Sequence, residues 1–364
     1  MSAFVVAAFR TAVMPQGGAF ARVLLHDLAA PLVGACLRAG GVAPDEVSEV
    51  IVSNALGAGG NPARVVALAA GLPERVAGLS IDRQCAGGLD ALRLAQALVE
   101  AGMAEAVLAG GAESWSRRPI RLRTDPDGGP PLAFDAPPFT PWPDRDPGMI
   151  AAAAALAARL RIGRAEQDDW ARESHAKGRA ARHRMAEEIV PVLGAVADGF
   201  TRDLTPGLTA RARVLQGPVT AANMAVAADA AALCLVVSER LARRAPRALR
   251  LAGGATLGAA PEEPGLAPIL AIETTLARAG LQPRDLALSE VMEAFAVQAL
   301  ACIAGAGLDP ARVNVGGGAL ARGHPIGASG AILAVRLFHE LRAGYGLAAI
   351  AAAGGIGSAL LLEA

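Results

Sequence analysis

Two short stretches of this chain carry residues able to do covalent chemistry. Cys85 lies in Asp82-Arg83-Gln84-Cys85-Ala86-Gly87-Gly88-Leu89, between an apolar run of strand length and the start of a helical period. A thiol at a helix N-terminus is set up as a thiolate nucleophile, because the helix dipole favours the charged form. Gly87 and Gly88 permit a tight turn there. The competing reading of any cysteine is a small buried hydrophobe. That reading suits Cys36, Cys234 and Cys302, which lie inside apolar runs, whereas Cys85 has polar and glycine neighbours. His324 sits in Gly316-Gly317-Gly318-Ala319-Leu320-Ala321-Arg322-Gly323-His324-Pro325-Ile326-Gly327-Ala328-Ser329-Gly330 and offers a base for the thiol. His26, His175, His183 and His339 lie in helical stretches with charged neighbours and read as ordinary packed or solvated imidazoles.

Two weaker candidates follow. Glu293, in Val291-Met292-Glu293-Ala294-Phe295, follows a strand end. It reads equally well as support for the reacting pair and as a carboxylate at a helix N-terminus. Gly354-Gly355 falls at the last strand turn, where Gly355 could offer a backbone N–H to an oxyanion. The glycine-rich loop contains no nucleotide-phosphate motif of either common type.

The elements that must position these residues come in two copies. Ser48-Glu49-Val50 recurs as Ser289-Glu290-Val291, and each follows a helix ending in Arg-Ala-Gly, Arg38-Ala39-Gly40 and Arg278-Ala279-Gly280. Gly88 to Gly102 matches Gly330 to Gly344, and Ala109-Gly110-Gly111 matches Ala353-Gly354-Gly355. The order of the matches is the same in both copies and the offset nearly constant, which marks a duplication. By that offset, the His324 loop enters the helix of the second copy where Cys85 enters the helix of the first. Two-fold packing would bring the two helix starts together.

Each copy alternates apolar runs of strand length with helical periods such as Leu89, Leu92, Ala95 and Leu98. Alternation of this kind predicts an α/β fold with a mostly parallel sheet covered by helices, the two halves stacking as α/β/α/β/α. The boundaries read as residues 1–115 plus 218–248 for the N-terminal half and 249–364 for the C-terminal half. Residues 116–217 read as an inserted cap, opening in a Pro/Gly/Arg-rich stretch and forming helices over Met149 to Leu160 and Ala165 to Met185. Such an insertion is a common home for substrate contacts.

Composition excludes several classes. Of 364 residues, 34 are Lys or Arg and 34 Asp or Glu, and this balance argues against a nucleic-acid or anionic-membrane partner. Hydrophobic residues make up 53% and aromatics only 3%, so a large core must be built from Ala, Leu and Val. No apolar run reaches the roughly 20 residues of a membrane span. The N-terminus reads as a strand, not a signal peptide. The four cysteines are widely spaced without a CxxC. That excludes a disulfide framework or zinc cluster, leaves no metal site and fits a reducing, cytoplasmic location.

The motifs as a set resemble the thiolase family, nearly end to end. Arg10-Thr11-Ala12, Asn61-Pro62-Ala63-Arg64, Gln84-Cys85-Ala86-Gly87-Gly88-Leu89, Gly110-Gly111-Ala112-Glu113-Ser114, Val219-Thr220-Ala221-Ala222-Asn223, Met292-Glu293-Ala294-Phe295 and Gly323-His324-Pro325-Ile326-Gly327-Ala328-Ser329-Gly330 follow in family order. The resemblance implies the duplicated five-layer fold, a homodimer or homotetramer, and an acyl-CoA or acyl-carrier thioester as substrate with no other cofactor. It implies an acyl-enzyme on Cys85 with His324 activating the thiol, and substrate contacts at Met149, Ala225 and Phe295. The family pattern is also broken. Ala351 stands where thiolases carry a second Cys, which removes the α-proton of the incoming acyl-CoA. Met292 stands where an Asn holds an enolate-binding water. Ala225 replaces a pantetheine-contacting Ser, and Gly148 replaces a His before Met149. The leading expectation is an acyltransferase whose non-decarboxylative Claisen step lacks its base. The alternative is a thiolase-like subunit of low activity that serves as a binding or assembly partner.

Overall fold

The computed structural model describes residues 2–364. The N-terminal half contributes strands β1 (Ala3–Arg10), β2 (Glu49–Ser53), β3 (Ala77–Ile81), β4 (Ala106–Glu113) and β5 (Ala228–Ser238). The C-terminal half contributes β6 (Leu249–Gly258), β7 (Leu286–Val291), β8 (Tyr345–Ala352) and β9 (Ile356–Glu363). With the short strand Met14–Pro15 on β5, they form one 10-stranded sheet in the order β7-β8-β9-β6-β1-β5-β4-β2-β3. Read outward from the middle, β1-β5-β4-β2 and β6-β9-β8-β7 are the same arrangement twice. The halves join where β1 pairs β6 through Phe4–Arg250 and Val5–Leu249.

The expected predominance of parallel pairing is not found. Parallel ladders join β2 to β3, β2 to β4 and β7 to β8. Antiparallel ladders join β1 to β5, β5 to β4, β6 to β9, β8 to β9 and β1 to β6. Parallel neighbours require a crossover through a helix. The closing strand of each half instead runs antiparallel to its neighbour: β9 turns back from β8 at Gly354-Gly355, and β5 returns after the insertion.

Helices fill the remaining layers. Helix α1 (Leu25–Gly40) stops at Gly41, whose φ of 63° closes the last turn as only glycine does readily. Its Leu28 and Leu32 cover the outer face of the first half against Val50, Leu233 and Leu235. The next residues along β5, Cys234 and Val236, face the opposite way, into the central layer. That layer holds α2 (Gly87–Glu100), with Leu89 and Leu92 turned inward.

The insertion supplies α3 (Met149–Leu160) and α4 (Arg164–Met185). Helix α4 straddles the halves, with Trp170 in the outer core of the second and Met185 in that of the first. Helices α5 (Ala267–Ala279) and α6 (Ala296–Gly305) cover the second half. Helix α7 (Ile326–Glu340) joins α2 in the central layer, packing Ile332 and Leu333 there. The two central helices touch backbone to backbone. A Cβ on Gly88 would come within 2.7 Å of the Ala331 nitrogen, and one on Gly330 within 2.5 Å of the Leu89 nitrogen. This glycine-to-backbone crossing draws the starts of α2 and α7 together. No helix among the described residues is long and apolar enough to cross a membrane.

Candidate active site

Cys85 stands at the joint between β3 and α2. Gln84 before it lies at a left-handed φ of 47°, a conformation that costs a non-glycine residue about 1 kcal/mol or more. Asp82 Oδ1 stabilises the joint by accepting from the Gln84 amide at 2.8 Å. A short 3-10 turn, Gln84–Ala86, then feeds the helix.

His324 is placed from three sides. Its amide donates to the Val226 carbonyl at 2.7 Å, which ties it to the chain leading into β5. Gly323 before it, at φ 115°, allows the loop to pass Val13 and Ala228 closely. Behind it, Glu113 at the end of β4 locks the start of α7 to the first half. One Glu113 oxygen accepts from the Gly327 and Ala55 amides at 3.0 and 2.9 Å, and the other from Asn54 at 2.5 Å. Burial pushes this carboxyl up to about 7 against those amides.

These constraints bring Cys85 Sγ within 3.1 Å of His324 Nε2. The other ring nitrogen, Nδ1, lies 2.7 Å from Ser329 Oγ, one turn into α7. Burial pushes the Cys85 thiol up to about 12, aided by the negative charges of Glu113 and Asp82 and opposed by the amides of Cys85 and Ala353. Burial alone pushes His324 down to about 4. Both shifts favour the neutral forms, so the expected ready-made thiolate is corrected. With Cys85 and His324 both shifted towards their neutral forms by burial, Nε2 is free to accept the thiol proton. Burial also holds Cys36 and Cys302 at about 12 and Cys234 well above its ordinary value. Cys85 differs from them in being partly exposed and in facing a histidine.

The pair opens into a cavity of about 390 Å³ between the sheet ends and the insertion. Met149, Ala225, Phe295 and Ala351 lie on its wall with Cys85 and His324. Other expected residues lie elsewhere. Met292 is 1% exposed and packs in the central core, off the cavity wall. Glu293 is fully buried away from the cavity: it accepts from Trp170 at 3.1 Å, Ser174 at 2.7 Å, Asn314 at 2.8 Å and the Leu320 amide at 3.2 Å. It clamps α4 to the loop that leads to His324. Gly355, at φ 75°, lets the last turn pass the Ala259 carbonyl, where a Cβ would stand only 2.6 Å away. Of the residues at this last turn, it is Ala353 whose amide, together with that of Cys85 itself, lowers the Cys85 thiol.

Reasoning from sequence did not single out Ser329, Glu113 or the Ala353 amide. Ser329 had a local signal, since five residues after His324 is one turn into the following helix. The other two depend on contacts between distant segments.

The arrangement has recognisable relatives. The thiolase N-terminal domain model matches residues 3–240, and the thiolase C-terminal domain model residues 246–364. A putative acetyl-CoA C-acetyltransferase of Bacillus subtilis is 40% identical, with 100% of this chain and 99% of that protein covered. An acetyl-CoA acetyltransferase of Cupriavidus necator is 39% identical over 99% of this chain and 98% of its own. The crystal structure of a Bacillus anthracis acetyl-CoA acetyltransferase superposes with a TM-score of 0.93 at 33% identity, covering 100% of this chain and 98% of that one. A thiolase of Ascaris suum, solved with coenzyme A, gives 0.92 at 29% identity, with 100% of both chains covered. Both halves of this chain therefore belong to the thiolase family, and the protein is a thiolase-type acyltransferase.

Proposed function

We propose that the enzyme takes an acyl group from a CoA thioester onto Cys85 and passes it to an acceptor, with His324 as the base. The observation that carries this reading is the 3.1 Å contact between Cys85 Sγ and His324 Nε2 at the cavity floor. Nε2 accepts the thiol proton while sulfur attacks the thioester carbonyl. Negative charge develops on the carbonyl oxygen, and the Cys85 and Ala353 amides, which already act on the sulfur, would be donors for it once the sulfur is acylated. The intermediate collapses to the acyl-enzyme. The leaving CoA sulfur takes the proton back from the imidazolium, which leaves His324 neutral.

Ser329 accommodates the tautomer the reaction needs. For Nε2 to accept, Nδ1 must carry the hydrogen and donate it to Ser329 Oγ, 2.7 Å away. Glu113 and Glu293 act only by positioning, each holding a segment that fixes His324.

The second half-reaction is where this chain departs from an ordinary thiolase. A condensation that begins by removing a proton next to a thioester needs a base beside the acyl-enzyme, and Ala351 offers a methyl group there. Acyl-Cys85 remains open to acceptors that need no such step: a carbanion made by loss of CO2, another nucleophile, or water. An assembly role without catalysis is not favoured, since the pair and its supports are complete.

The polypeptide division at 1–115 with 218–248, 116–217 and 249–364 belongs to the same reading, supported by the matching strand orders. So does assembly into a homodimer or homotetramer, supported by β3, an edge strand with Leu79 41% exposed. Intact-mass spectrometry after incubation with a panel of acyl-CoAs tests the central step. One acyl group should be added to the wild type and none to Cys85→Ala. Equal acylation of both would overturn the reading.

A further inference from the structure

Beyond the reacting histidine, the cavity wall holds three charged side chains among the described residues: Arg121, Asp135 and Glu263. Both carboxylates already have a cation. Asp135 is bound by Arg118 at 3.1 Å, and Glu263 by Arg159 at 2.7 Å. Arg121 pairs with no carboxylate. Its guanidinium donates to two backbone carbonyls, Asp135 at 3.2 Å and Ala55 at 3.3 Å. Those bonds fix the direction of the fork without neutralising its charge. The half-buried Arg121 shares this wall with apolar groups such as Leu56, Phe139, Met149 and Phe295. An entering anion would meet a guanidinium whose charge no carboxylate among the described residues neutralises. Clipping the strap at 119–135 to Ala55 would require no charge, and a neutral amide would serve.

We propose that Arg121 recognises a second carboxylate on the acyl group, so that the preferred substrates are CoA thioesters of dicarboxylic acids. This deepens the acyl-Cys85 reading and rests on it. The thioester end meets Cys85 and His324, the methylene spacer lies along the apolar wall, and the free carboxylate meets the planar guanidinium, which matches it with paired donors. A phosphate of the CoA moiety presents the same chemistry to an arginine. We assign the acyl carboxylate because the long pantetheine arm holds the CoA phosphates far from the thioester, whereas Arg121 lines the cavity that contains the nucleophile, and the two sources separate experimentally.

The test compares acyl-CoAs matched in carbon number: succinyl against butyryl, glutaryl against valeryl, adipyl against hexanoyl. The rate of Cys85 acylation is followed by intact mass at low substrate, and the readout is the ratio within each pair. That ratio is independent of how much of a variant folds. The wild type should favour the dicarboxylic member of at least one pair by about tenfold to a hundredfold, the worth of a hydrogen bond to a charged group. R121Q should bring that ratio down towards one, and R121K should retain part of it. A wild type that takes the monocarboxylic members equally well or better overturns the proposal. So does an R121Q variant that slows both members alike and keeps the ratio, which would assign Arg121 to the CoA phosphates or to the strap. If no acyl-CoA modifies Cys85, the acyl-enzyme reading itself falls and takes this proposal with it.

Discussion

His324 Nδ1 lies 2.7 Å from Ser329 Oγ, while Nε2 of the same ring lies 3.1 Å from the Cys85 sulfur. One imidazole thus links a helix hydroxyl to the nucleophile, and the hydroxyl can accept from Nδ1 as Nε2 takes up the thiol proton. Ser329→Ala removes that partner without touching the thiol. Acylation of Cys85 should slow by about threefold to tenfold, the worth of one neutral hydrogen bond. Ser329→Thr, which keeps the hydroxyl, should recover part of the loss. Single-turnover acylation rates check this, and an Ser329→Ala rate equal to wild type would contradict it.

The four thiols differ in access and partner more than in acidity. Cys36, Cys234 and Cys302 are buried, and Cys85 alone is partly exposed and faces a histidine. Iodoacetamide should therefore modify Cys85 first, and His324→Ala should slow that labelling, because the base that draws off the proton is gone. Peptide mapping reads the order directly. Earlier labelling of any other cysteine would overturn the assignment.

The pH dependence follows from the buried imidazole. A base works only while unprotonated, and burial holds His324 down to about 4. Acylation should stay level from about pH 8 down to about pH 5 and then fall as Nε2 takes up a proton. An ordinary histidine would lose half the rate near pH 6.5. The acylation rate measured across this range separates the two cases, and a midpoint near 6.5 would show that the site is wetter than its packing implies.

Much of this was legible in the sequence. Cys85 and His324 stood out because their neighbours are polar and glycine-rich and their positions correspond under the internal repeat. The repeat also anticipated that the two helix starts meet, and the structure adds that they touch at Gly88 and Gly330, equivalent places in the two copies. What escaped depends on contacts between distant segments. Glu293 appeared beside the reacting residues in a familiar motif, yet its bonds to Trp170 and Ser174 on the insertion turn it into a clamp. Met292 followed the same motif into the core. The upward shift of the Cys85 thiol was hidden for a related reason. A helix start is a local pattern, whereas the desolvation that outweighs it comes from two halves closing on one another. The antiparallel ladders arise where closing strands return without a crossover, and periodicity along one strand carries no record of its neighbour's direction.

Acylation and condensation can be measured on one sample, and their separation is the most direct test of the account. Acylation uses Cys85, His324 and backbone amides. Condensation of two acetyl-CoA molecules also needs a proton removed from carbon, a step to which a placed base contributes typically 10²–10⁴-fold. Ala351 supplies no base, and Met292 lies off the cavity wall. With acetyl-CoA, intact mass should report rapid formation of acyl-Cys85 while acetoacetyl-CoA appears at least about a hundredfold more slowly. Ala351→Cys should raise condensation more than acylation. Acetoacetyl-CoA forming in the wild type as fast as the acyl-enzyme would contradict the account, because another group would then be acting as the missing base.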